Sequence, residues 1–543
     1  MNKKIYYILP PLIAAMAWVS AEAQDIKDVP KVVVNITIDR LRSDYMNAFV
    51  PIYGQDGFKR LLKEGRVYSH AEYPQSRLNR AACIATIATG TVPYNHGSVS
   101  DTWLNRKTLR PVFCVDDSQY EGNLTGDQSS PQFLSVSTIG DELKVATEGK
   151  AIVYAIAPFR DASSLSAGHA ADGAFWINPL TGRWCGTSYY GPLPGWVSIA
   201  DKKNDLESFL QGNSWEPLSE LSGNFSYFPS GGMKEPFKYK FKGDHRFKAF
   251  STSGLVNEYI TKFATECVNT SGIGNDNITD YLSLTYYAGN YEDQSVSEFP
   301  MEMQDTYLRL DKALGELFQA VESKVGTGKA LFVVTSTGYT DNETADLAKF
   351  RVPTGTFYIN RTAGLLNMYL MALYGQGQYI EAYYGDEIYL NHKLLETKQL
   401  SLAEVLERCQ ELLLQSAGVK DVYTSQRLLL GAWTPGISRI RNSYNPKCSG
   451  DILVQVAPGW HLVNEETQED VMVRDSYFPF PLIFMGNEVV AQTIDTPVTP
   501  DCIAPTPTAC TTAALTGFSN EAFERTSAAP HSAPACNMIQ LLH

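Results

Sequence analysis

Apolar positions in this chain fall in short continuous runs rich in β-branched residues, with little of the strict in-out alternation of a half-exposed sheet. Residues 31–38 read K-V-V-V-N-I-T-I, a run apolar on both faces, which is the pattern of a parallel strand covered on both sides. Asp39 stands at its C-terminal end. Similar runs predict buried strands at 151–157, 281–286, 331–335, 452–456 and 482–485. The 331–335 run opens into a turn through Ser336, Thr337, Gly338 and Tyr339. Between the runs lie helical patterns: a short one at 57–65, a helix of small residues at 81–89, and longer ones at 303–323 and 402–416. Strand and helix in alternation predict an α/β fold with a mainly parallel central sheet flanked by helices. Two stretches break the rhythm and read as cap insertions, a Gly-, Pro- and aromatic-rich one at 176–250 and one with its own helices at 357–441. The rest of 24–543 is expected to form a single domain. After Pro497 the composition shifts to Ala, Thr, Pro and Ser, and residues 526–543 are expected to form a poorly ordered tail.

Composition narrows the function. At 543 residues and 44% hydrophobic the chain can bury a large core. A formal net charge of −14 argues against sequence-independent nucleic-acid binding, which needs a basic face to displace phosphate counterions. Residues 1–23 have a charged start (Lys3, Lys4), an apolar stretch and a small-x-small end at Ala21-Glu22-Ala23, the pattern of a cleaved signal peptide. No later run approaches the ~20 apolar residues of a transmembrane helix, and residues 365–374 read as a buried helix. An exported protein of a bacterial periplasm is therefore expected. Nine cysteines are dispersed without C-x-x-C spacing, so zinc-ribbon and thioredoxin readings fail. Isolated disulfides and buried apolar thiols both remain open.

Six segments, in order, carry a resemblance: V-V-V-N-I-T-I-D-R-L-R-S-D-Y (32–45), T-G-T-V-P-Y-N-H-G-S-V-S-D-T-W (89–103), G-H-A-A-D-G-A-F-W (168–176), Q-D-T-Y-L-R-L-D (304–311), S-G-D-I-L-V-Q-V-A-P-G-W (449–460) and T-P-V-T-P-D-C-I-A-P-T (496–506). Together they resemble the alkaline-phosphatase superfamily, in its bacterial phosphomonoesterase branch close to nucleotide pyrophosphatase/phosphodiesterases. That resemblance implies an α/β sheet, two zinc ions held by Asp and His, and a Thr or Ser nucleophile at a helix N-terminus, where metal lowers the pKa of nucleophile and water.

Position by position, this chain departs from the implied site. The first metal Asp falls on Asp39. The nucleophile falls on Arg80, whose guanidinium stays protonated and cannot attack phosphorus. The phosphate-holding Asn falls on Asp101, and the Lys and Arg of the monoesterase clamp fall on Phe159 and Asp161, where carboxylates repel phosphate. An Asp-x-x-x-His pair after Asp280 falls on Asn290 and Gln294. The strand-end Asp and His fall on Thr337 and Gly338, and the last His on Pro479 or Phe480. Zinc needs three or four N, S or O ligands in close geometry, so no metal ligand is expected beyond Asp39 and no cofactor is expected in place of the family's two zinc ions.

Two functions follow as alternatives. The first is a non-catalytic pseudophosphatase that binds an envelope partner or an anionic small molecule. The second is an active phosphomonoesterase or phosphodiesterase with a remodelled metal site. Asp39, Asn290, Gln294 and Thr337 are expected to converge at the C-terminal edge of the sheet. Arg80 is expected to form a bridge to Asp39, or else to present an anion site at its helix N-terminus. His96 and His169 read as scaffold histidines, Asp341 as a solvated turn residue, and Asp305, Arg309 and Asp311 as packing and surface ion pairs. Tyr189-Tyr190 and Tyr383-Tyr384 either line a cleft or fill core.

Overall fold

A computed structural model describes residues 29–218, 237–293, 300–340, 351, 353–431, 434–473 and 479–504. Its centre is a ten-stranded sheet. In spatial order the strands are Gln492–Ile494, Arg66–Ala71, Phe480–Gly486, Ala330–Ser336, Val32–Asp39, Asp280–Tyr287, Val153–Ala157, Gly173–Ile177, Trp184–Thr187 and Gly122–Asn123. The five strands from Ala330–Ser336 to Gly173–Ile177 run parallel, and antiparallel neighbours close both sides. The expected mainly parallel α/β sheet is what the chain forms.

Val32–Asp39 lies in the middle and is buried along its whole length, which explains why its sequence is apolar on both faces. The register pairs Ile38 with Ser336 on one side and Asp39 with Tyr287 on the other. Three strand ends therefore meet at one edge. On one face the helices Leu255–Thr270 and Pro300–Val325 pack a large core through Tyr259, Phe263, Tyr307, Leu314 and Phe318. Helices Arg80–Thr89 and Arg160–Ala167 pack together through Ala81, Ile84, Ala162 and Leu165, the two alanines leaving room for the two larger side chains.

Some expectations need correction. Ile452–Val456 does not join the central sheet; it pairs antiparallel with Glu387–Leu390 and Val419–Thr424 in a separate four-stranded sheet. An apolar run there signals a second core, built with the helices Ile359–Tyr374 and Leu402–Leu413. The 365–374 segment is not a buried helix: Leu366 and Leu370 are buried, but Leu365 and Met368 are 59% and 58% exposed. Asp305, Arg309 and Asp311 are buried rather than on the surface. Asp305 accepts from Trp215 and Arg309, Arg309 also pairs with Glu258, and Asp311 accepts from the main chain of Gly54 and Phe58. Cys83, Cys114, Cys185, Cys267, Cys409 and Cys448 are buried free thiols. The signal-peptide region, the 526–543 tail and Asp341 lie outside the described residues. Among the described residues, no helix is long and apolar enough to cross a membrane.

Candidate functional site

Asp39 ends the central strand with no exposed surface. Burying a charge there is costly unless partners hold it. One carboxylate oxygen, Oδ1, accepts from the Thr337 hydroxyl at 2.8 Å. The Thr337 oxygen in turn accepts from the Arg40 main-chain N–H at 2.9 Å, so the two strand ends are stitched together. Arg40 has a positive φ of 64°, and this turn sends its guanidinium over the rings of Tyr287 and Tyr339. The other oxygen of Asp39, Oδ2, has no hydrogen-bond partner and lies 3.6 Å from Arg80 Nη1.

Arg80 is the first residue of its helix, whose N-cap Asn79 accepts from the Ala82 N–H at 2.9 Å. Its guanidinium is not bridged chiefly to Asp39, as the sequence suggested. It makes a bidentate pair with Asp161, Nε to Oδ2 at 2.7 Å and Nη2 to Oδ1 at 3.1 Å, and lies 4.0 Å over the Phe159 ring. Bidentate geometry makes this the stronger contact. Neither is Arg80 an open anion site, because its fork is already taken.

Asp101 fills the place of the phosphate-holding amide and faces the same helix terminus. Its Oδ1 accepts from the Ala81 N–H at 3.0 Å. A helix N-terminus with free N–H groups attracts an anion; here a carboxylate of the protein is that anion. Burial and then Asp161 raise the Asp101 pKa above the ordinary carboxylate range, with Arg80 and the Ala81 N–H pulling the other way.

The strand-end position of the second histidine is closed. Gly338 has φ +69°, and a Cβ built there would lie 2.6 Å from Phe480 and 2.8 Å from Tyr73. Those two rings stack with centroids 5.2 Å apart, and the Tyr73 hydroxyl donates to the Ser336 carbonyl at 2.8 Å. Phe480, at one of the two positions aligned with the last histidine, is thus packing. Asn290 is buried near the same edge, its main-chain carbonyl accepting from Tyr287, the neighbour of Asp39 in register. Gln294 lies outside the described residues.

The structure thus brings Asp39, Arg80, Thr337 and Asp161 together, with Asp101 at the same helix end and Asn290 beside Tyr287. Sequence reasoning placed Asp161 at a clamp position but missed its role as the main partner of Arg80. The signal was present: the resemblance put a cation, Arg80, and an acid, Asp161, at positions of one and the same site. His96 is a scaffold residue, its ring hydrogen-bonded to Thr86 and the Ser98 N–H and its pKa pushed down to about 3 by burial, so it is neutral. Tyr189 and Tyr190 contact each other edge to face, with Tyr120 against Tyr189.

Comparisons with known proteins bear on this geometry. The model of the type I phosphodiesterase / nucleotide pyrophosphatase family matches residues 33–478. The chain is 28% identical to alkaline phosphatase PafA of Elizabethkingia meningoseptica, covering 88% of this chain and 90% of that protein. It is 24% identical to alkaline phosphatase PhoV of Synechococcus elongatus, covering 80% and 81% respectively. The crystal structure of wild-type PafA superposes with a TM-score of 0.76 at 26% identity, covering 89% of this chain and 96% of that one.

These similarities overturn the expectation that the chain has no cofactor: its relatives are alkaline phosphatases, and the family resemblance carries two zinc ions with it. The donors gathered at this site do not fit that pair. Asp39 keeps one oxygen on Thr337 and turns the other toward a guanidinium, a cation that repels metal. Among the described residues no group of three or more His, Cys, Asp or Glu is placed to hold a metal ion. With its sheet and its matched length in agreement, the chain belongs to the type I phosphodiesterase / nucleotide pyrophosphatase family of the alkaline-phosphatase superfamily.

Proposed function

We propose that this chain is an exported pseudophosphatase, a member of its family that binds without hydrolysing. One observation carries the reading: the side chain at the nucleophile position is the Arg80 guanidinium, locked in a bidentate pair with Asp161. A guanidinium has no lone pair to offer phosphorus at any accessible pH. The Asp101 carboxylate supports the reading, since it takes an N–H of the helix terminus and repels an incoming phosphate. The N-terminal pattern of residues 1–23 supports export. The function left is recognition of an envelope protein or an anionic small molecule, through surface outside the filled pocket.

The test is hydrolysis of p-nitrophenyl phosphate and its bis-substituted diester, with and without added zinc, against an Asp39→Ala variant. Wild type and variant are expected to match the uncatalysed rate in both conditions. Turnover by the wild type that Asp39→Ala abolishes would overturn the proposal and favour a remodelled hydrolytic site.

A further inference from the structure

Just past the C-terminal end of the Arg160–Ala167 helix, His169 joins two pieces of chain. Its Nδ1 faces Asp141 Oδ2 at 3.0 Å and its Nε2 faces the Leu134 carbonyl at 3.0 Å. Both partners are acceptors. A neutral imidazole has a single N–H and can serve only one of them, whereas an imidazolium serves both. Asp141 is itself anchored: it accepts from the main-chain N–H groups of Thr138, His169 and Ala170 at 2.7–2.8 Å and forms the capping box of the Ile139–Ala146 helix. The hold that a neutral ring gives up is therefore the one on the Leu134 carbonyl.

We propose that His169 is a pH-operated clasp, which as imidazolium ties segment 131–137 to Asp141 and as neutral imidazole releases one of the two holds.

The setting suits such a device. The ring is partly exposed and forms one wall of an open cavity of about 460 Å³, lined also by Leu134, Ser135, Asp141 and Lys144, so protons exchange freely with solvent. Other charged groups around it are committed elsewhere: Lys144 pairs with Asp172 at 2.7 Å, and Glu142 accepts from the Ser137 hydroxyl. The Tyr189 hydroxyl donates to the His169 carbonyl and the Tyr190 hydroxyl to the Gly168 carbonyl, which holds the backbone of the clasp but leaves its ring alone.

Release has somewhere to travel. Ser135 N–H donates to the His96 carbonyl, and Leu134 shares a core cluster with Ala81 and Ile84 of the Arg80 helix and with Ala162 and Leu165 of the Asp161 helix. Loosening segment 131–137 thus loosens the packing behind the Arg80–Asp161 pair. The hydrogen bond that the His169 ring donates to Asp141 raises the His169 pKa, burial opposing it; burial raises Asp141, but His169 and the main-chain N–H groups outweigh it and hold that carboxyl low. The sign follows. The His169 contribution is complete below about pH 6.5 and is lost as pH rises through the raised folded value. At the acid end the Asp141 contribution is lost as pH falls through a value below the usual ~3.9.

Hydrogen exchange of the full chain from pH 6 to 9, corrected for intrinsic rates, tests the clasp. Protection of amides in 131–137 is expected to fall by up to about tenfold per pH unit between the free histidine value of ~6.5 and the raised His169 midpoint, the linkage slope of one proton, and to level off above that midpoint. H169Q should abolish that dependence and leave amides of the central strand unchanged. As a measurement that needs no variant to fold, the His169 ring should titrate by NMR with its midpoint above that of a free histidine. A midpoint at or below the free value, or an unaltered exchange profile in H169Q, would overturn the proposal.

Discussion

Replacing Arg80 by methionine removes the cation bonded to Asp161, the only one among the described residues, and the one that faces Asp39 Oδ2. Both carboxylates are essentially buried, at 1% and 0% side-chain exposure. Removing one side of a buried ion pair costs ~3–5 kcal/mol, because the charge left behind has lost its solvation and its partner. At ~2.1 cal/mol/K per residue of unfolding entropy, a chain of about 500 residues loses roughly 1 °C of Tm per kcal/mol, so R80M should melt about 3–5 °C lower. D161N should cost less, because the guanidinium can close the 3.6 Å gap to Asp39 Oδ2 and recover a charged partner. The double variant R80M/D161N should be more stable than the summed losses by roughly 0.5–3 kcal/mol, the range of coupling for residues in contact. Thermal unfolding of the three variants measures this directly. Additive losses, or a D161N penalty as large as that of R80M, would refute the picture of one guanidinium shared unequally between two acids.

Two further outcomes follow from the same pocket. G338H should not restore a ligand: a left-handed φ costs a non-Gly residue roughly 1–2 kcal/mol and overpacking against Tyr73 and Phe480 a further 1–3, so Tm should drop by several degrees without gain of turnover. D101N should raise Tm at pH 7. The wild-type stability falls as pH rises from the ordinary carboxylate value through the raised value of Asp101, and an amide that still accepts from Ala81 removes that fall; equal pH profiles for wild type and variant would contradict it.

The sheet was legible because a doubly covered parallel strand has to be apolar on both faces, and Val32–Asp39 and Ala330–Ser336 have no other reading. The second sheet was not, since Ile452–Val456 carries the same local pattern as the main strands and only its partners, remote in sequence, tell the two apart. The Ile359–Tyr374 helix misled for a related reason. Apolar residues all round suggested burial, yet only the face of Ala363, Leu366 and Leu370 finds a partner. At the site, the meeting of Asp39 and Thr337 at neighbouring strand ends could be read from the sequence. The choice of partner for Arg80 could not, because whether it turns to Asp39 or Asp161 depends on helix packing that no spacing encodes.

Electrostatics links the altered chemistry to the preserved fold. A strand-end carboxylate with no exposed surface cannot lose a neighbouring cation without a replacement or a proton, and the substitutions at 80, 101 and 161 act together in that light. Arg80 supplies the positive charge, and Asp161 holds it in a fixed orientation against the Phe159 ring. Asp101 satisfies the helix N-terminus that an anion would otherwise occupy. Three acids around one guanidinium still leave an excess of negative charge, and the raised pKa of Asp101 is where that excess is felt. The pocket is thus closed by groups that imitate, inside one chain, the charges of a bound phosphate and its counter-cation.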